Sequence, residues 1–155
     1  MKRLSVWAVG IAALVSVALL TVERGDADGA TKCTLATLQG QYLFAGSGTL
    51  FPPAFGVIEP SSANSAGYHI FNGDGTGTDF VTFSVNGVNQ NVPSPVAITY
   101  TLNSDCTGTY TVKNGPHFNI FVARDGEELS VIDVDPGVAF SEGPNRRVGS
   151  QMGSQ

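Results

Sequence analysis

Glu59 and Asp133 are the two carboxylates whose placement suits proton transfer. Glu59 closes the apolar run Phe55-Gly-Val-Ile58 and precedes Pro60, while Asp133 shares the parity of Leu129 and Val131. A carboxyl on the apolar side of a strand loses water, its pKa rises, and it can give and take a proton near neutrality. If Glu59 points outward instead, it is an ordinary rim charge. The only histidines, His69 and His117, each stand beside strand aromatics, and His69 shares a face with Phe71. Two histidines and a carboxylate can hold a metal, but no spacing says that these meet, so no metal site is expected. Asn72, Asp74, Thr76 and Asp79 resemble half a calcium loop, yet the twelfth position is Phe83 rather than a glutamate, and the flanks are strand-like. An Asx-stabilised turn is the simpler expectation.

No Gly-x-Ser-x-Gly elbow, phosphate loop or dinucleotide fingerprint occurs. A polar reaction centre is therefore less legible than an apolar one. Tyr42, Phe44, Tyr68, Phe83, Tyr100, Tyr110 and Phe118 are expected to line an interior that either holds a ligand or is filled by its own side chains. Tyr100 sits in the most regular strand, where Thr99 and Thr101 mark the opposite, solvated face. Its buried hydroxyl would need a partner, and Glu59 is the candidate.

Positioning those residues falls to strands. Val81, Phe83 and Val85 alternate with Thr82 and Ser84, and Val96, Ile98, Tyr100 and Leu102 with Ala97, Thr99 and Thr101. The same period of two runs through 118–123 and 129–134. Asn72-Gly73, Asp74-Gly75, Asn86-Gly87, Asn114-Gly115 and Asp125-Gly126 punctuate these runs with residues that tolerate the positive φ of tight turns. Eight strands are expected, at about 40–46, 54–59, 66–71, 77–86, 96–102, 108–113, 117–123 and 128–134. Hairpin-linked neighbours form a meander, and closure into an antiparallel, eight-stranded up-and-down barrel removes both raw edges. A β-sandwich is the alternative. The barrel domain is expected over 28–140, with 141–155 as a flexible tail, because that segment shows no apolar period.

The N-terminus reads as an address. Met1-Lys2-Arg3 is basic, Leu4 to Val22 carries no charge, and Gly25-Asp26-Ala27 offers small residues for a cut after Ala27. Residues 1–27 thus have the order of a secretory signal. If the segment stayed uncleaved it would be long enough to anchor the chain in a membrane. Export makes Cys33 and Cys106, the only cysteines, an expected disulfide and the compartment an oxidising one, outside the cell or in a periplasm.

The whole chain has 155 residues, 13 acidic and 8 basic, for a net charge of -5. With no basic cluster it is not expected to bind nucleic acid, since a row of phosphates needs matching cations. Only 14% of residues are charged against 42% apolar, which places it among globular rather than disordered chains.

The runs Leu38-Gln-Gly40-Gln-Tyr42-Leu-Phe44, Phe71-Asn-Gly73-Asp-Gly75-Thr-Gly77 and Asn103-Ser-Asp105-Cys106-Thr-Gly108-Thr-Tyr110 resemble strands and hairpins of small secreted bacterial proteins with a calycin-like or allene-oxide-cyclase-like β-barrel. The likeness covers residues 33–134, and it departs from the lipocalin Gly-x-Trp, having Gly40-Gln-Tyr42. The resemblance implies a calycin-like barrel that carries a small apolar ligand, or a cyclase or isomerase that constrains one. It transfers no catalytic residue and implies no cofactor. A structural or surface-interaction protein with a filled core is the third expectation.

Overall fold

The computed structural model describes residues 32–148. Among the described residues nine strands follow one another: β1 Gly40–Leu50, β2 Ser61–Phe71, β3 Thr76–Val85, β4 Val88–Asn89, β5 Val96–Leu102, β6 Thr107–Val112, β7 His117–Val122, β8 Glu128–Asp133 and β9 Val138–Val148. Every pairing is antiparallel and joins sequence neighbours, except that β5 bypasses β4 to pair with β3 and that β9 returns to β1. The result is a closed eight-strand barrel with the two-residue β4 outside it. No sandwich forms, because the β1–β9 seam, Gln41 with Val148 through to Leu50 with Val138, uses up the two edges a sandwich would leave.

The turn chemistry at one end is repeated. Asp74 accepts the Thr76 N–H at 2.9 Å and its hydroxyl at 2.7 Å; Asp105 accepts the same two groups of Thr107 at 3.0 and 2.7 Å. Both carboxyls are held below the usual carboxylate range, first by the threonine hydroxyl and then by its backbone N–H. The Asn72–Thr76 segment is therefore the expected Asx turn, while Asp79 lies inside the barrel, 4% exposed.

This end is plugged. The 3₁₀ turn Leu35–Leu38 drives Leu38 to complete burial, and the Cys33–Cys106 disulfide ties its start to the β5–β6 turn. Arg147 donates to the Tyr42 hydroxyl at 3.0 Å from Nε and 2.8 Å from Nη2, and to the Thr37 carbonyl at 2.7 Å. The Tyr42 hydroxyl in turn donates to the Gly126 carbonyl. Plug, β1, β9 and the β7–β8 turn are thus fastened through one guanidinium, whose fixed fork suits several acceptors at once.

The expected elements need correction at two places. Residues 54–59 are not a strand: Ala54–Gly56 is a 3₁₀ turn in a loop where Ile58 is 94% exposed. Pro52, Pro53 and Pro60 deny that segment ladder donors. The second strand begins instead at Ser61. The tail assigned to 141–155 is structured through Val148, and β9 is the strand that closes the barrel. The signal expected at 1–27, and residues 149–155, lie outside the described residues.

Candidate functional site

The barrel interior changes character along its axis. A dense apolar cluster including Leu38, Tyr42, Phe71, Tyr100, Ile120 and Leu129 fills the plugged half. A small rim cluster of Leu50, Ala63 and Phe140 lies at the other end, with Phe83 packed against it. His69, Asp79 and Glu142 are buried but belong to neither cluster.

The unplugged half is hollow because two neighbouring strands present little volume inward. The interior side of β2 reads Ser61, Ala63, Ser65, Gly67, His69, Phe71, and that of β1 includes Gly46 and Gly48. A Cβ on Gly46 would stand 2.7 Å from both the Glu142 side chain and the Phe140 ring, so the glycine lets those two groups turn inward against β1. Opposite, Tyr110 and Phe118 stack at 4.5 Å. What remains is a cavity of about 400 Å³ whose lining includes Leu50, Ser65, Val81, Phe83, Val96, Tyr110, Val112, Phe118, Val138 and Phe140. The carboxylates that reach it are Asp79, Asp133 and Glu142. Phe55, Val92, Pro93 and Pro116, from three loops, line it as well. Those dimensions fall in the range of small-molecule sites, which are mostly apolar with a few placed polar groups.

His69 is the hub of the polar layer. It is fully buried, with Nε2 3.2 Å from Glu142 Oε2 and Nδ1 3.1 Å from Asp79 Oδ1. The first contact is an aligned hydrogen bond; the second has ion-pair distance without hydrogen-bond alignment. Burial alone would lower the imidazole pKa, but the two carboxylates outweigh it and raise the value to about 9. Phe44 stacks on the ring at 4.3 Å, and the Tyr110 ring meets it edge-on at 5.3 Å. At neutral pH His69 is therefore an imidazolium clamped between two carboxylates. With no lone pair free it is not a base or a metal ligand.

Asp133 behaves differently. It faces inward with Leu129 and Val131, as its parity requires, and Oδ1 accepts the Asp135 N–H at 2.8 Å. Loss of water raises its pKa to about 6, against the pull of that backbone N–H. Burial first, and then the charges of Glu142, Asp79 and Asp133, push the Tyr110 phenol well above its ordinary value.

The residues singled out from sequence scatter. Phe83, Tyr110 and Phe118 line the cavity together with Asp133. Tyr42, Phe44 and Tyr100 are interior but structural: Tyr42 is locked to Arg147, Phe44 covers His69, and Tyr100 donates to the Leu35 carbonyl at 2.9 Å. Tyr68 stands on the outer face, stacked on Phe80 at 4.5 Å, because it has the opposite parity to His69. Glu59 is exposed in the β1–β2 loop and does not meet Tyr100, whose partner is a backbone carbonyl. His117 is exposed and pairs with Asp135 at 2.9 Å, away from His69. Sequence reasoning missed Asp79, Glu142 and Ser65 as site residues. In the sequence Asp79 groups with the Asn72–Thr76 turn at the start of the expected strand 77–86, and Glu142 falls in the expected tail 141–155. One signal was available: His69 shares its face with Phe71, so a buried imidazole needed interior acids. Among the described residues no group of three or more His, Cys, Asp or Glu side chains converges closely enough to hold a metal ion.

Comparison with protein-family models, curated proteins and solved structures finds no match for the chain.

Proposed function

We propose that this is an exported binding protein, which holds one small and largely apolar molecule in the unplugged half of its barrel. The observation that carries the reading is the cavity of about 400 Å³, walled by Val, Phe and Tyr side chains. A filled core, the expectation for a purely structural protein, leaves no such space. The Cys33–Cys106 disulfide and the N-terminal run with the order of a secretory signal support an oxidising compartment outside the cytoplasm. The up-and-down strand order supports grouping the chain with calycin-like barrels.

The test is saturable binding of a neutral apolar fluorophore, N-phenyl-1-naphthylamine, to the purified protein. One site per chain is expected. Ser65→Phe, which places a ring in the cavity from the small-residue side of β2, should abolish that signal while the far-ultraviolet spectrum is retained. Unsaturable binding, or binding that S65F leaves intact, overturns the reading.

A second reading is an isomerase or cyclase in which a bound substrate exchanges a proton with Asp133. Its support is the placement of an acid with a pKa of about 6 in an apolar cavity. Glu59 has no part in it, being solvent-exposed.

A further inference from the structure

We infer that the molecule this cavity takes carries a protonated amine, or another organic cation, at the end that enters the barrel, with Asp133 as its charge partner and the Tyr110 hydroxyl and Ser65 Oγ as its hydrogen-bond acceptors. The inference rests on the reading of the cavity as a ligand site and says what kind of ligand it is.

Charge provides the first argument. Asp79, Asp133 and Glu142 all reach the cavity, whereas among the described residues the one interior cation facing them is His69, already shared between Asp79 and Glu142. Among the described residues Lys113 is the sole basic residue of the lining, and it is exposed at the barrel's unplugged end. Arg147 is committed to the plugged end, on Tyr42, Thr37 and Glu127. The polar layer is therefore short of positive charge, and among the described residues Asp133 is the one of the three carboxylates that makes no ion pair, the exposed His117 that acts on it at longer range being paired with Asp135. Its single protein hydrogen bond comes from the Asp135 backbone and occupies Oδ1 only. A buried carboxylate is costly unless something neutralises it.

The hydroxyls of the wall point the same way, independently of the acids. Tyr110 is 1% exposed, lines the cavity and stacks on Phe118. Ser65 Oγ is buried in the same wall and has no hydrogen-bond partner among the described residues. Buried hydroxyls are nearly always satisfied, and those that are not commonly await a ligand or water. Oxygen atoms beside surplus negative charge favour a donor with positive charge. They disfavour a carboxylate or phosphate, which would meet three like charges. A metal ion suits the site less well than an organic cation, because the carboxylates are spread around the wall instead of converging. The apolar remainder of the lining matches an alkyl or aryl body behind the cationic end.

Three probes of equal chain length separate the possibilities: octylammonium, octanol and octanoate, each competing against bound N-phenyl-1-naphthylamine at pH 7.5. Octylammonium should displace the fluorophore at least tenfold more effectively than octanol, and octanoate should be the weakest. In Asp133→Asn, which keeps the side-chain shape, the ratio of octylammonium to octanol displacement should fall to within about twofold of one. Octanol or octanoate equalling the amine overturns the cationic end and leaves the cavity reading standing. An ammonium preference unchanged in D133N overturns the role of Asp133. Failure of the fluorophore to bind wild-type protein removes the cavity reading, and this inference with it.

Discussion

His69 is buried without exposure yet positively charged, and only its two carboxylate neighbours make that tolerable. Its protonation is therefore linked to folding. The folded pKa of about 9 lies above the value of 6.5 expected in the unfolded chain. A raised pKa contributes stability that is complete below pH 6.5 and disappears as pH climbs through 9. The groups that face the ring set this balance: Asp79 from β3, Glu142 from β9, and the Tyr110 phenol from β6, with Asp133 behind them. Urea unfolding at pH 6.5 and pH 9.5 should differ by a few kcal/mol, about 3 for a shift of this size. The His69 ring resonances should titrate near 9 in the folded protein. A midpoint at or below 6.5 would mean that the clamp does not hold a cation. Asp133 has the same sign at lower pH: its raised pKa makes stability decline between pH 4 and 6, as the buried carboxyl is forced to ionise. Part of this residue-level picture was legible from parity. Asp133 faces inward as alternation with Leu129 and Val131 requires, and His69 accompanies Phe71. Tyr68 fails by the same rule, since even and odd positions of β2 cannot both face the cavity.

Strands were readable where apolar and polar residues alternate, and invisible where the inward side is small or polar. β5, β7 and β8 bury Ile98 and Tyr100, Phe118 and Ile120, Leu129 and Val131, and sequence alternation finds each of them. β9 turns Phe140, Glu142 and Asn145 inward across a register shift opposite β1, so no period of two survives in it. The first half of β2 hides for a related reason, its inward Ser61, Ala63 and Ser65 giving no apolar signal. Two of the segments that build the site, β9 and the first half of β2, are thus ones that sequence periodicity does not report. Gly48 belongs to the same economy of volume. A Cβ there would lie 2.1 Å from the Ala139 carbonyl oxygen and 2.6 Å from the Phe140 Cα, both backbone atoms that cannot rotate away. Gly48→Ala should therefore part the β1–β9 seam and cost about 1–3 kcal/mol, as overpacking does. Chemical denaturation measures it directly, and a cost below about 0.5 kcal/mol would show that the two strands have slack at this point.

At the scale of the molecule, the disulfide crosses from the plug to the β5–β6 turn with a sequence separation of 73. A loop of that length confines the unfolded chain by about 4.5 kcal/mol in the chain-entropy model. Cys33→Ala together with Cys106→Ala should lower the melting temperature by roughly 10–20 °C. Thiol labelling of the denatured, unreduced wild type should find neither cysteine between 28 and 155 reactive. Two labelled thiols would remove the bridge and the argument for an oxidising compartment. The seam between β1 and β9 has a further consequence, in time rather than in space. Gln41 pairs with Val148, so the ladder that makes the cylinder whole joins the first strand to the last. A chain delivered from its N-terminus cannot make that pairing until nearly all of it has emerged. Until then β1 and β8 each present an unsatisfied row of amides and carbonyls, open to a strand from another copy. During that interval the hazard is self-association, and whatever holds newly delivered chains apart, dilution or a chaperone, determines how many of them complete the cylinder.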